Sequence, residues 1–534
     1  MTNLRKFSAT LGAAALVVTG LVAISPAAHA AAPTCLPADK AGVVTCVGKL
    51  ANNAAYVVKV PANFGGTMFY WNHGFRPSYP YPSYTPPKGV EELTPANSVT
   101  LTDVTKQMLA AGYGVAAYDR VSTGLHGWNT ADSVEMLKEV IDTVKAKFTT
   151  IKKNVVYGSS GAAPVIDMFV EKYPTYADSV GIMAGLTPPA GNEVKSLCDA
   201  FYIMSVFFDP TIKGCAAFGV KGPNGHLLAL QELGKVVTLL KGWQLDYGNG
   251  TIAYPAGLKP YGIPQRSALL LTGLLMGIPT KSAHMDGIST SALVPEQSIN
   301  ATVAVLENLG DAIATGTFAG QAISEITGPG FYDNTKTDWA SLLSDEDSAR
   351  YNLGLSGDDA IAAMLGTLQA YPRVKGDAAA IAKLDSLDAV KFTSTKPTVL
   401  LSNEADRLVF AGNSALYVDK AKAVYEQRLA DYESGKSKVK PVWNTFAMYA
   451  MTPTTYTTFT DTGAPVLTAK TVAKSGTGHQ TFSAAQTMAW VKMLAQSAKY
   501  GKLPNENFIT QTLKQDPYLN LDRDYRPNDL KYAN

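Results

Sequence analysis

Along the chain, short apolar runs bounded by turn residues trade places with longer stretches of helical spacing. Residues 49–60 (KLANNAAYVVKV) and 67–72 (TMFYWN) read as strands, with Gly65-Gly66 as the turn between them. Further strands are read at 112–120 (GYGVAAYDR), 154–157 and 180–184. Helical spacing occupies 100–111, 131–148 and the stretch after a serine-containing turn up to Glu171. Alternation of this kind over 49–186 predicts an α/β fold, a mostly parallel central sheet with helices on both faces. The alternation then stops. Residues 187–391 read as mainly helical, with runs such as LLALQELGKVVTLL and LLLTGLLMGIP. Strand-like runs return at 397–402 (PTVLLS) and 465–472 (PVLTAKTV), and a last helix is expected over 482–497. The tail from 500 is polar and aromatic without a clear period. The expected organisation is therefore a core in two parts, 31–186 and 392–499, interrupted by a helical cap insertion at 187–391 and followed by a tail at 500–534.

With 534 residues the chain exceeds one ordinary core, and 46% hydrophobic with 17% charged residues fits a globular protein. Its first thirty residues stand apart. Arg5 and Lys6 precede an uncharged run from Leu11 to Ile24, and Pro26 and Ala28-His29-Ala30 follow. That is the pattern of a secretory signal peptide cut after Ala30, so a secreted, extracellular protein is expected. Without that leader the 46 basic residues become 44, against 44 acidic ones. A near-neutral chain gives no reason to expect nucleic acid as a partner, and no later run is apolar enough to predict a membrane span. Four cysteines, Cys35, Cys46, Cys198 and Cys215, allow three connectivities. The local pairs Cys35–Cys46 and Cys198–Cys215 are preferred because each closes a short loop.

The chemistry starts at VVYGSSGAAP, residues 155–164. A serine nucleophile on a strand-to-helix turn needs small residues two positions to either side, or the backbone cannot fold back. Ser159 would have Tyr157 and Gly161 there. Ser160 has Gly158 and Ala162 and is the candidate. The following helix offers free N–H groups, and Gly161 N–H is the expected first oxyanion donor.

Serine needs a general base, and histidine is the natural one. Beyond the leader there are five: His73, His126, His226, His284 and His479. His479, in SGTGHQTF between the last strand-like run and the last helix, lies in a loop placed to cross the sheet's carboxyl edge, whereas His73 ends the second strand early in the chain, His126 has no strand-end setting, and His226 and His284 lie in the insertion. An acid must fix its tautomer. Asp406, in LLSNEADRLVF after the 397–402 strand, is in the right place, and Glu404 is its rival, read as a solvated surface acid.

These strings, in the order Ser, Asp, His, resemble the α/β-hydrolase fold superfamily. GSSGAAPVIDMFVEKYP looks like that family's nucleophile elbow and its helix, and WNHGF resembles its oxyanion-loop His-Gly signature. AAYDRVSTG is similar to its D-x-x-G-x-G loop through Asp119 and Gly124. PTVLLSNEADRLV looks like its acid loop with Asn403 at the usual glycine, and GHQTF resembles its histidine loop. The resemblance implies Ser160 as nucleophile, His479 as base and Asp406 as orienting acid. It implies an oxyanion hole from the N–H groups of Gly161 and Phe75, with His73 structural. The 73 residues between Asp406 and His479 require an extra excursion over 415–464.

The reaction implied is acyl transfer to water through an acyl-enzyme, with no metal or organic cofactor. Met183, the cluster FYIMSVFF at 201–208 and LLLTGLLMGI suggest apolar pocket walls or the insertion's own core. The segment RPSYPYPSYTPP after the oxyanion loop is either an entrance lining or a surface loop. Three functions are expected in turn. The first is a secreted hydrolase of small, oligomeric or polymeric carboxylic esters. The second is a prolyl or tripeptidyl aminopeptidase, a kind that holds a substrate amino terminus with acidic cap residues; the insertion's runs Asp345-Glu346-Asp347 and Asp358-Asp359 fit that or a solvated helix face and decide nothing. The third is a non-catalytic binding protein on a hydrolase scaffold.

Overall fold

The computed structural model describes residues 32–77, 79–80, 85–86, 89–95, 104–120, 128, 130–245, 265–293, 297–344, 347 and 357–532. The expected leader, His126 and Gly124 lie outside the described residues, as do Asp345 and Glu346 and much of the Tyr/Pro segment.

Nine strands form one sheet: β1 (Thr34–Cys35), β2 (Val44–Lys49), β3 (Ala55–Val60), β4 (Thr67–Asn72), β5 (Gly114–Tyr118), β6 (Lys153–Ser159), β7 (Ser179–Met183), β8 (Thr398–Asn403) and β9 (Thr445–Ala450). Their order is β1-β2-β3-β5-β4-β6-β7-β8-β9, antiparallel up to the β3–β5 pair and parallel from β5 to β9. The sequence pattern explains the faces. In β6, Val156 packs with Ile166 and Phe169 on one side, while Val155 and Tyr157 pack with Trp490 and Leu494 on the other. Helices α1 (Thr105–Ala110), α2 (Thr130–Lys147) and α3 (Ala163–Lys172) supply part of those layers, and both faces are covered, as buried parallel strands require.

Between β7 and β8 the chain leaves the sheet and builds a mainly helical cap. It comprises α4 (Gly191–Phe207), α5 (Gly222–Leu245), α6 (Gln265–Met276), α7 (Gln297–Thr327), α8 (Gly357–Ala370) and α9 (Ala378–Ser386). The cap has its own apolar core, in which Phe201, Ile203 and Phe207 of α4 meet Leu270 and Leu271 of α6 and Ile313 of α7. The apolar clusters of the insertion are thus mostly self-packing, and Met183 belongs to the sheet core. After β8 come α10 (Gly412–Glu433), then β9, then α11 (Ala484–Tyr500) and α12 (Glu506–Leu513). No described helix is long and apolar enough to cross a membrane.

Several sequence expectations need correction. Residues 49–60 are a turn followed by a strand, because Leu50 N–H and C=O close on Ala54 and Asn53 and end β2 at Lys49. The run 465–472 is not a strand; Thr460 and Val466 turn back on their own loop there. The last strand is β9 (TFAMYA), an apolar run within the excursion after Asp406 whose place is set by parallel pairing with β8. The excursion after Asp406 therefore carries α10 and β9. The tail holds α12, whose Asn505 side chain caps the Phe508 N–H.

The two disulfides join Cys35 to Cys46 and Cys198 to Cys215. The first ties β1 to β2 and the second ties α4 to the turn after it. The tail returns over the cap. Leu530 packs against the cap core, Lys531 pairs with Asp347 at 2.9 Å, and Arg526 pairs with Asp419 of α10 at 2.7 Å.

Candidate active site

At the carboxyl end of β6 the backbone reverses. Ser159 is still extended, at φ −133°, whereas Ser160 sits at φ +55°, a left-handed conformation that costs a non-glycine residue about 1–3 kcal/mol. The small flanks have a direct cause. A Cβ on Gly158 would stand 2.5 Å from Asn72 O, and Ala162 is fully buried. Ser159 is buried away from the cavity, while Ser160 lines it. On the other side, a Cβ at Gly74 would meet Ser160 Cβ at 2.9 Å, so only glycine lets the loop after β4 lie against the serine. That loop also brings Phe75 N within 3.2 Å of a Cβ built on Gly161, which sets the Gly161 and Phe75 backbones side by side next to Ser160.

His73 has a structural setting. Its Nδ1–H donates to Gly74 O at 2.8 Å and its Nε2 accepts from Arg120 N–H at 3.2 Å. Burial, with Arg76 and Arg120 nearby, holds its pKa well below the usual imidazole range, so it is neutral. Arg120 was missed by sequence reasoning. It is fully buried, donates Nε–H to His73 O at 3.0 Å and Nη2–H to Gly161 O at 3.2 Å, and so ties the β4 loop to the serine turn. Burial lowers its pKa to about 10, still leaving it charged at neutral pH. The available signal was a charged pair, Asp119-Arg120, directly ending an apolar strand.

The acid and the histidine meet from two adjacent loops. His479 Nδ1–H donates to Asp406 Oδ2 at 2.9 Å, and Asp406 is fully buried. Asp406 Oδ1 accepts the Leu408 and Val409 N–H groups at 2.9 and 3.0 Å. The loops are stitched by Ala405 N–H to Gly476 O at 2.8 Å and by Asn403 Nδ2–H to Gly478 O at 2.9 Å. Asn403, at the position where the resemblance leads one to expect glycine, therefore holds the histidine loop. Gly476 is required there, since at φ +79° a Cβ would collide with Met451 and Thr452 backbone. His479 Nε2 accepts from Gln480 Nε2–H at 3.0 Å. Among the described residues, Ser160 and His479 make no hydrogen bond to each other, but both line one cavity of about 250 Å³.

Glu404 does not approach His479. It pairs with Lys281 of the cap at 2.6 Å and accepts from Thr452 N–H and Oγ–H, a half-buried tie rather than a solvated acid. His226 of the cap packs against Phe318 of α7 and against Tyr79 of the segment after the β4 loop, and His284 pairs with Glu307 at 2.6 Å. Asp358 and Asp359 open helix α8, and Asp347 is taken by Lys531. The walls that close the cavity are Phe75, Trp128, Leu186, Val194, Leu197 and Phe318, with Phe75 and Trp128 stacked at 5.7 Å. Cap helix α4 also contributes Glu193, another residue that sequence reasoning missed. Its Oε2 accepts from Asn413 Nδ2–H at 3.1 Å, and burial pushes its carboxyl up to about 8, with the nearby Asp406 charge acting the same way.

No family model matches the sequence, and no curated protein matches it. Among solved structures the chain is similar to feruloyl esterase B from Aspergillus oryzae, at 14% identity and a TM-score of 0.36, covering 90% of this chain and 89% of that one. It is also similar to the rice cell wall degrading esterase LipA from Xanthomonas oryzae, at 13% identity and a TM-score of 0.30, covering 76% and 89%. A further esterase from Aspergillus oryzae gives 12% identity and 0.29, covering 77% and 72%. Likenesses this distant say nothing of the reaction. The strand order and the strained serine turn are features of the molecule itself, and by them the chain has the α/β-hydrolase fold, with a large helical cap inserted between β7 and β8.

Proposed function

We propose that the protein is a secreted serine hydrolase that cleaves carboxylic esters through an acyl-enzyme on Ser160. One observation carries this reading: a buried carboxylate orients an imidazole at 2.9 Å on the same small cavity that a serine enters from a left-handed turn. The Nδ1–H tautomer held by Asp406 leaves the Nε2 lone pair available as base. In the reaction Nε2 exchanges its Gln480 partner for the Ser160 hydroxyl and takes that proton as Oγ attacks the ester carbonyl. The developing oxyanion is received by Gly161 and Phe75 N–H. The imidazolium then protonates the departing alcohol. Water, deprotonated by the same Nε2, releases the acid and restores the serine. Loose serine–histidine geometry without substrate is common and tightens on binding.

Peptide cleavage is the weaker reading. Of the cap's acidic runs, the described Asp347, Asp358 and Asp359 do not line the cavity, and Glu193, a cap acid that does, sits where burial disfavours its charge. Incubation with a fluorophosphonate probe is expected to label Ser160. Turnover of 4-nitrophenyl esters without turnover of aminoacyl or tripeptidyl 4-nitroanilides is the expected result. Anilide turnover alone would install the peptidase instead, and no labelling at Ser160 would leave a binding protein.

A further inference from the structure

The base proposed above is capped by its own neighbour. His479 gives its Nδ1–H to Asp406 at 2.9 Å, so its Nε2 holds a lone pair and pairs only with a donor. The donor in place is the side-chain amide of Gln480, whose Nε2–H reaches it at 3.0 Å. Both residues line the cavity of Ser160, which shares that space with His479 without a hydrogen bond to it among the described residues. The backbone is bent to bring the amide there. Gly478 at φ +75° and Gln480 at φ +58° are both left-handed, so the chain curls on either side of His479. Glycine adopts that conformation freely, whereas glutamine keeps it only where its surroundings compensate. The bond to the imidazole is one such compensation.

A lone pair aimed at an amide hydrogen takes no proton from a hydroxyl. The contact joins adjacent residues, so it forms wherever the loop is folded and no other element has to move to make it. Asp406 does not release it, since its carboxylate engages the other ring nitrogen and the Leu408 and Val409 N–H groups. A molecule in the cavity does reach it, because Gln480 is part of the wall and only half-buried. Uncapping is therefore a step that the filled site requires and the empty site does not.

On the hydrolase reading given above, we infer that Gln480 is a gate on the general base: its amide closes on His479 Nε2 in the empty site, and an entering ester pushes it aside for the Ser160 hydroxyl. The affinity for an ester is then reduced to the fraction of molecules in which the amide stands open. One net intramolecular hydrogen bond leaves about a tenth to a third of them open, so the gate weakens ester binding about threefold to tenfold and leaves the later steps untouched.

The purified full chain and three variants test this. Gln480→Met keeps the length without the amide, Gln480→Asn suits the left-handed backbone but is one methylene shorter, and Gln480→Glu puts an acceptor where the donor was. Labelling of Ser160 by a fluorophosphonate is followed as a first-order rate, which does not depend on how much of a sample is folded. Gln480→Met and Gln480→Asn are expected to raise kinact/KI about threefold to tenfold, the weight of the lost hydrogen bond. With 4-nitrophenyl butanoate the same gain should appear as a lower KM rather than a higher kcat. Gln480→Glu should slow both reactions, because a carboxylate there pairs with the protonated ring, which is no base. A residue that merely supported the loop would slow all three. Unchanged or slower labelling in folded Gln480→Met, or in Gln480→Asn where the first does not fold, would overturn the gate. So would a gain confined to kcat, or Gln480→Glu labelling faster than the unmutated protein. Absent butanoate turnover and absent Ser160 labelling in the unmutated protein would instead sink the underlying hydrolase reading.

Discussion

The site is made of two halves that are built differently. The serine half is short in sequence and rigid in structure: β4, β6 and their loops pair in register from Thr67–Lys153 to Asn72–Gly158, and Arg120 bolts the loops together. The histidine half is long. Between Asp406 and His479 the chain makes α10, β9 and an irregular excursion before two loops zip together through Asn403, Ala405 and Gly478. The difference teaches that the serine is placed by backbone strain, whereas the histidine proposed as its base is placed by hydrogen bonds between distant loops.

The comparison breaks most sharply at the reacting atoms. Ser160→Ala and His479→Ala are each expected to reduce kcat by about 10⁴–10⁶ while leaving the thermal midpoint nearly unchanged; activity within tenfold of the parent would discard the proposed roles. Asp406→Asn should cost about 10³–10⁴, because an amide no longer enforces the Nδ1–H tautomer. By contrast, Glu404→Gln should change kcat less than about threefold, since its partner is Lys281; the reverse outcome would exchange the two acids.

Gly74→Ala and Arg120→Met sharpen the serine half. The added Cβ at 2.9 Å from Ser160 Cβ should lower kcat about 10²-fold, with KM less affected. Removing the Arg120 guanidinium strands two buried carbonyls, and urea unfolding should record a loss of about 2–4 kcal/mol.

The smallest effect concerns a link between the halves. Asp167 of α3 accepts from Tyr417 Oη–H of α10 at 2.8 Å, and burial pushes its carboxyl up to about 8. Glu193 is raised to a similar value. At these two carboxyls the folded chain therefore binds more protons than the unfolded one between the ordinary carboxylate range and about pH 8. Its stability falls as pH rises across that window. Asp167→Asn should flatten the fall by about 1 kcal/mol or more between pH 5 and 8, read from denaturation midpoints; an unchanged slope would show the carboxyl to be ionised throughout.

How far the sequence discloses each half follows the same division. Ser160 was legible because a left-handed turn demands small neighbours within two positions. The parallel core was legible because its buried strands are apolar and sharply bounded. The strand β9 was not: TFAMYA is apolar enough, but its place in the sheet is set by pairing with β8 after the whole of α10, which its own residues do not show. A run of threonine and valine at 465–472 imitated a strand, but it pairs only locally, with Phe459 and Thr458 of its own loop. Arg120 and Glu193 were missed because each acts through partners far away in sequence, which no local pattern shows.

One feature of the tail reaches beyond the site. A cap inserted between two strands is ordinarily moored at its two stems, but here residues 526–532 add a third mooring through Arg526, Leu530 and Lys531. Two of those three attachments are ionic, and the Arg526 pair is open to solvent. Electrolyte in the medium thus becomes a control on how readily the enclosure breathes: brine slackens the outer rope first, while the greasy Leu530 anchor tightens.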